Sequence, residues 1–347
     1  MSIIIALIIF CVVVVIHEMG HMLVAKANGI YVKEFWVGFG PTILSFVKGE
    51  TKYCIKPIPL GGACVFEEDA LEEGQLPSER AFNRAGVFAR ILTVAAGPIA
   101  NFILAFVFSI VVLGLAGYSP SVINEVKEGS PAYEAGLRVG DRIVKMDHEN
   151  IHLYDEVLLN LIFNRGEEIR VTYEREGERR AVDITPELDP EKGRYMLGIS
   201  GGKKAEDQTL ISTVQYSFYY TNYWVKNVLK SLLSLVRGRV KVNELSGVVG
   251  LTATVNDIYQ ESKSHGVLSV FINMMNIAVL LSANLGVFNL LPIPALDGGR
   301  LLFFLVEVFR RKPADQELEA KIHFAGFALL MLLTVFIMYN DILKLFK

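Results

Sequence analysis

Two imidazoles and a carboxylate stand close together at His17-Glu18-Met19-Gly20-His21, directly after an uncharged apolar run from Ile3 to Ile16. On a helix, positions i and i+4 share a face, so His17 and His21 present their rings together and Glu18 stands at the margin of that face. This is the pattern of a zinc-hydrolase helix, in which the two His hold the ion and the Glu serves as general base. Ionisable groups in apolar chain are costly without a partner or a task, which makes a chance match in a polar kink the weaker reading.

A catalytic zinc needs a third protein ligand and an open position. Asp297 is the candidate. It follows the uncharged run Val267 to Leu291, and Pro292 and Pro294 break that helix and turn the carboxylate back toward the apolar bundle. His323 opens the last apolar segment and is read as interfacial, with contact to the metal as the alternative. His265 is excluded by its position outside, and His148 and His152 read as surface residues.

The elements that must position these groups are membrane helices. The chain has 347 residues, a formal charge of −3, 52% hydrophobic residues and a mean hydropathy of +0.39. That composition indicates a membrane protein, and the lack of a concentrated basic block excludes a nucleic-acid partner. Cys11, Cys54 and Cys64 show no metal-binding spacing and read as ordinary buried thiols. The N-terminal run lacks a basic lead and a cleavage pattern and reads as retained. Four segments reach or approach the roughly 20 residues that cross a bilayer core: Ile3 to Ala25, Ile91 to Gly117, Val267 to Leu291 and Ile322 to Tyr339. The Lys and Arg residues after the first, before the second and between the third and fourth place those loops in the cytoplasm. Both termini and the connection from Tyr118 to Gly266 then lie outside. About 16 residues at about 1.5 Å each set His17 near the cytoplasmic face but still in the apolar layer.

Between the first two spans, Glu34 to Pro41 reads as an aromatic and glycine-rich turn, and Lys52 to Phe66 as extended chain closed by Gly61-Gly62, a β-hairpin. Pro57 and Pro59 would block one edge and leave the other available. The hairpin either covers the loop or pairs with an extended peptide. From Ser121 to Ser200 the composition is that of a soluble α+β domain, and the Ser130 to Asp141 run Ser-Pro-Ala-x-x-Ala-Gly-Leu-x-x-Gly-Asp resembles a bacterial PDZ domain. That resemblance implies a peptide groove beside a helix at Leu153 to Phe163. A hairpin is expected about Glu176-Gly177-Glu178. Val214 to Val236 has one apolar helical face and reads as a helix lying in the membrane interface, the alternative being a helix packed on the soluble domain.

Taken together, His17-Glu18-x-x-His21, Gly38-Phe39-Gly40, Gly97-Pro98-Ile99-Ala100-Asn101, the PDZ-like run and Asn289 to Gly299 make the chain resemble the site-2 proteases, peptidase family M50, in the regulator-of-sigma-E branch. Some members carry two tandem PDZ domains, and this chain has room for one. The resemblance implies an α-helical polytopic membrane protein with four transmembrane helices, a membrane-associated β-hairpin and one inserted extracytoplasmic PDZ domain. Its parts would be residues 1–117 and 267–347 as the catalytic core, 118–202 as the PDZ domain, and 203–266 as interfacial helix and linker. It implies Zn2+ on His17, His21 and Asp297, with Glu18 as the catalytic base. Substrate would be bound by Asn289, Gly38, Gly40 and an extended edge across Ile55 to Val65 that includes Ile58. Asn101 is either a further contact or part of a helix start, since Pro is tolerated in a first turn. The substrates implied are single-pass membrane proteins such as trimmed anti-sigma factors, or remnant signal peptides, within the lipid bilayer; no oligomeric state follows. The competing readings are an inactive membrane scaffold or chaperone that binds tails through its PDZ domain, and a metal transporter. The transporter would call for several intramembrane carboxylates.

Overall fold

The computed structural model describes residues 2–67, 78–239, 247–312 and 315–345. The chain divides into two compact units, Met1–Phe108 with Val240–Lys347, and Ser109–Arg239.

The first unit is built on long apolar helices. α1 (Ser2–Ala27), α2 (Val87–Ala116, whose last turns fall in the second unit), α7 (Val267–Leu290) and α9 (Gln316–Leu345) each contain a stretch long and apolar enough to cross a membrane. Every backbone donor inside such a helix finds its acceptor in the same segment, which is why uninterrupted apolar sequence folds this way in lipid. α7 is the most buried of the four, and the apolar window of α9 has no buried residue. Two further helices are less apolar. α6 (Val248–Lys263) packs on α1, α7 and α9, with Val255 in a cluster with Met274 and Ile277. α8 (Asp297–Arg310) is amphipathic and is fixed by Phe304 in the core and by a half-buried ion pair from Arg90 to Glu307 at 2.6 Å.

The loop after α1 corrects the expected hairpin. It is a four-stranded sheet of order β2-β3-β1-β4, from β1 (Val32–Phe39), β2 (Leu44–Lys48), β3 (Thr51–Ile55) and β4 (Ile58–Phe66). β3 and β4 are neighbours in sequence but not in space, because β1 lies between them, parallel to β3 and antiparallel to β4. The segment read as a turn, Glu34 to Pro41, therefore supplies most of a central strand. Val32 and Phe35 bury their side chains under the helices, and that burial outweighs the turn signal of the glycines. Gly61 and Gly62 lie within β4 and do not close a turn. Among the described residues β4 has a strand partner, β1, on one edge, and that pairing carries over to the site below.

The second unit holds the sheet β7-β6-β8-β9, from β6 (Arg142–Met146), β7 (Glu149–Asn150), β8 (Ile169–Arg175) and β9 (Glu178–Ile184). A smaller pair joins β5 (Ile123–Val126) and β12 (Ile199–Gly201), and β10 (Glu187–Asp189) pairs with β11 (Arg194–Met196). Ile143, Met146, Val157, Val171 and Leu197 form its core. In the Ser-Pro-Ala run, Ser130 caps the short α3 (Pro131–Glu134) by accepting the Tyr133 N–H, with Pro131 in the first turn. Glu176 and Gly177 make the two-residue loop between β8 and β9, both at positive φ.

The region 203–266 divides between the units. α5 (Leu210–Val236) belongs to the second: Lys226 reaches Glu156 on α4 (Tyr154–Phe163) at 2.7 Å, Lys230 reaches Glu149 at 2.8 Å, and Tyr219 stacks on His152 at 3.8 Å. His152, expected at the surface, is half-buried, with one ring face stacked on Tyr219. Phe218, Leu229, Leu233 and Val236 of α5 stay exposed. α6 belongs to the first unit. Residues 240–246, part of the expected linker, lie outside the described residues.

Candidate metal centre

α1 places His17 and His21 one turn apart, and both rings are buried. Asp297 begins α8, after the chain leaves α7 at Leu291 and turns through Pro292 to Leu296. His17 Nε2 and His21 Nε2 are 3.2 Å apart, and Asp297 Oδ2 lies 3.1 and 3.4 Å from them. A tetrahedral ion with bonds of about 2.0–2.1 Å separates its ligands by about 3.3 Å, so these spacings suit one ion. Among the described residues this is the group of three side chains that could hold a metal, with all ligand atoms within 4.8 Å.

The proton positions agree with that use. His21 Nδ1 lies 2.8 Å from the carbonyl of Thr93, which can only accept, so Nδ1 carries the hydrogen and Nε2 keeps its lone pair. An ion on His17 Nε2 needs the lone pair of that nitrogen, and the Asn289 amide stands 3.2 Å from it. His17 Nδ1 must then donate, and Asn101 stands 3.2 Å away with a buried oxygen that has no partner. A half-turn of the Asn101 amide presents that oxygen to Nδ1–H. Asp297 Oδ2 is likewise buried without a hydrogen-bond donor. Two imidazole lone pairs and a carboxylate oxygen therefore converge with no hydrogen between them, an arrangement that calls for a cation.

Small residues make room for it. A Cβ on Gly97 would stand 2.3 Å from His21 Nε2, so only glycine fits under the rings, and a Cβ on Gly20 would meet the Ala96 carbonyl at 2.4 Å. α1 and α2 thus touch backbone to backbone beside the site. Gly97-Pro98 lies inside α2, which starts at Val87, and does not start the helix as the sequence suggested. The backbone of Asn101 is held by Ser282 of α7, whose hydroxyl donates to the Asn101 main-chain carbonyl at 2.8 Å.

Glu18 lies on the rim of a cleft of about 130 Å3, with His17, His21, Cys64, Thr93, Asp297 and Arg300 among its walls. Its Oε2 accepts the Cys64 N–H at 3.0 Å. The Cys64 N–H points away from β1, so Glu18 sits on the side of β4 turned away from β1. Gly38, at φ +85 and tight against the Lys56 and Ile58 carbonyls, shapes the neighbouring end of that strand. Ile58 is exposed at the β4 end, opposite Phe39. The structure thus brings together His17, Glu18, His21, Asp297 and Asn289, and leaves Gly38 and Ile58 in the sheet and Gly40 in the bend just after β1. His323 is not in the metal group; it takes the Ala295 N–H at 2.9 Å. Thr93 and Ser282 escaped the sequence reading because they act through a backbone carbonyl and a remote hydroxyl.

A zinc-type ligand set on a membrane helix, backed by a strand edge, defines the class. The chain matches the model for peptidase family M50 over residues 5–333, and it belongs to that family. It is 31% identical to the zinc metalloprotease RasP of Geobacillus kaustophilus, over 99% of this chain and 98% of that protein. It is 33% identical to the regulator of sigma-W protease RasP of Bacillus subtilis, over 98% of each chain. Among solved structures, the PDZ domain of an SdrC-like protein from Listeria monocytogenes matches 24% of this chain and 88% of that chain, at 22% identity and a TM-score of 0.23. The chain is a zinc metalloprotease of a membrane family, and its apolar helices make it a multi-pass membrane protein.

Proposed function

We propose that this protein is an endoprotease that cuts the transmembrane segments of single-pass membrane proteins, with His17, His21 and Asp297 as metal ligands and Glu18 as general base. The observation that carries this reading is the place of Glu18: beside three converging ligand atoms and bonded to the backbone of β4 on the side turned away from β1. Zinc supplies Lewis-acid polarisation of the scissile carbonyl and a nucleophile at neutral pH. Glu18 takes the proton of the attacking water and delivers it to the leaving amine. A substrate helix hides its carbonyls in its own hydrogen bonds and must unwind before attack. The β4 edge across Gly62 and Cys64 offers replacement partners to the unwound chain, in the manner of an added strand. Asn289, 3.2 Å from His17, binds the substrate backbone beside the metal.

The Lys and Arg distribution orients the molecule with both termini and the PDZ-like unit outside and the metal near the cytoplasmic face. The name of the Bacillus subtilis relative ties that protein to sigma-W; for this chain we extend the substrate class to trimmed anti-sigma factors and remnant signal peptides in regulated intramembrane proteolysis. Glu18→Gln in purified protein should lower cleavage of a transmembrane model substrate by at least about 100-fold while zinc content per chain stays at the wild-type level. Equal cleavage by the variant would reject the protease mechanism in favour of a tail-binding scaffold.

A further inference from the structure

His323 has no part in the metal group, yet it touches the segment that delivers the last ligand. Asp297 is reached through the short turn from Leu291 to Leu296, and Ala295 in that turn has φ +77, a conformation that an alanine rarely adopts. Its N–H is donated to His323 Nδ1 at 2.9 Å. One helical turn further along α9, a Cβ on Gly326 would stand 2.4 Å from Pro294 Cβ and 2.7 Å from the Pro294 carbonyl oxygen. His323 and Gly326 lie three residues apart and so share a face. That face grips two consecutive residues of the turn, although α9 is otherwise the least buried of the four long apolar helices.

We infer that His323 is a positioning residue for zinc: through the Ala295 N–H it locks the left-handed turn that sets Asp297 Oδ2 against His17 and His21. The acceptor must be a ring nitrogen or an equivalent atom at the same reach, because the Ala295 N–H has to be satisfied in a conformation the backbone would otherwise leave. Without that acceptor the turn relaxes toward ordinary φ, and the carboxylate, two residues on, leaves its 3.1 and 3.4 Å spacing. The role differs from that of Asn101 or Thr93, since His323 acts on the backbone of a ligand-bearing turn and not on a ligand side chain. α9 thereby becomes a part of the metal centre that makes no contact with the metal.

This inference rests on the assignment of His17, His21 and Asp297 as ligands, so Asp297→Ala is run beside it. The measurement is zinc affinity of the full-length protein in detergent by chelator competition, with the visible absorption of the Co2+-loaded protein as a report on ligand geometry. His323→Leu should weaken zinc binding about 10-fold or more and alter the Co2+ spectrum, and His323→Asn, which keeps an acceptor, should return to within about threefold of wild type. Wild-type zinc affinity and spectrum in His323→Leu, or no recovery in His323→Asn, overturns the positioning role. If His323→Leu does not fold, Gly326→Ala tests the same seat by pushing the helix off Pro294; a folded Gly326→Ala with unchanged zinc affinity also overturns it. Asp297→Ala that keeps zinc at wild-type affinity removes the ligand assignment itself, whereas loss of zinc there with an unaffected His323→Leu removes only the role of His323.

Discussion

Glu156 in the second unit and Asp297 in the first are both carboxylates drawn out of water, with side-chain exposures of 1% and 19%. Glu156 is saturated: it takes the N–H groups of His152 and Leu153 at 2.7 and 3.2 Å and the Lys226 ammonium at 2.7 Å. Asp297 faces two imidazole lone pairs, and its Oδ2 has no donor. Burial is therefore common to both and says little by itself. A closed set of donors marks a joint between α4 and α5; a set of acceptors turned on one another marks a site that something positive must complete.

That contrast can be broken experimentally. Glu156→Ala removes one partner of a buried pair and leaves two amides and an ammonium without their acceptor, so it should lower stability by about 3 kcal/mol, read as a fall in melting temperature, with zinc content per chain unchanged. Loss of zinc from this variant would mean that the two clusters are not independent. Asn101→Ala should do the opposite, weakening zinc binding about 10-fold in chelator competition with little change in melting, because it deletes only the group that orients His17. Cys64→Pro deletes the N–H at the β4 edge, and kcat/KM for a transmembrane substrate should drop about three- to tenfold with zinc retained. An unchanged kcat/KM would argue against strand docking at that edge.

The smallest effect belongs to His152. Burial against the Tyr219 ring pushes its imidazole below the usual range, with Lys226 and Arg142 adding to the shift against the opposing effect of Glu156. The unfolded chain then binds the extra proton first, so stability falls as pH drops through the ordinary imidazole range. Between about pH 7 and 5.5, His152→Gln should flatten the pH dependence of the melting temperature slightly. A steeper dependence in the variant would give the shift the wrong sign.

What the sequence made legible was whatever is written locally. Helical spacing put His17, Glu18 and His21 on one face, and uncharged runs marked the four long helices. Asp297 stood out because a carboxylate after Pro292 and Pro294 at the end of such a run has few other uses. What stayed hidden depends on distant pairing. β1 runs parallel to β3 and separates it from β4, and no residue in Glu34 to Pro41 announces a central strand. α6 has mixed composition, and its packing on α1 and α7 decides its fate. Thr93 contributes a carbonyl, which every residue possesses. The apolar face of Val214 to Val236 was legible, but the partners of Lys226 and Lys230, Glu156 and Glu149, come from α4 and β7.

The bond from the Cys64 N–H to Glu18 also sets terms for any incoming chain. A substrate carbonyl that takes this N–H displaces the Glu18 carboxylate, whose charge-assisted bond is the stronger of the two, so the exchange at this position brings no net gain. Selection then falls on the rest of the ladder and on how readily the segment unwinds. A stable helix would compete poorly, and a segment rich in helix-breaking residues would be favoured even if its side chains matched the cleft no better.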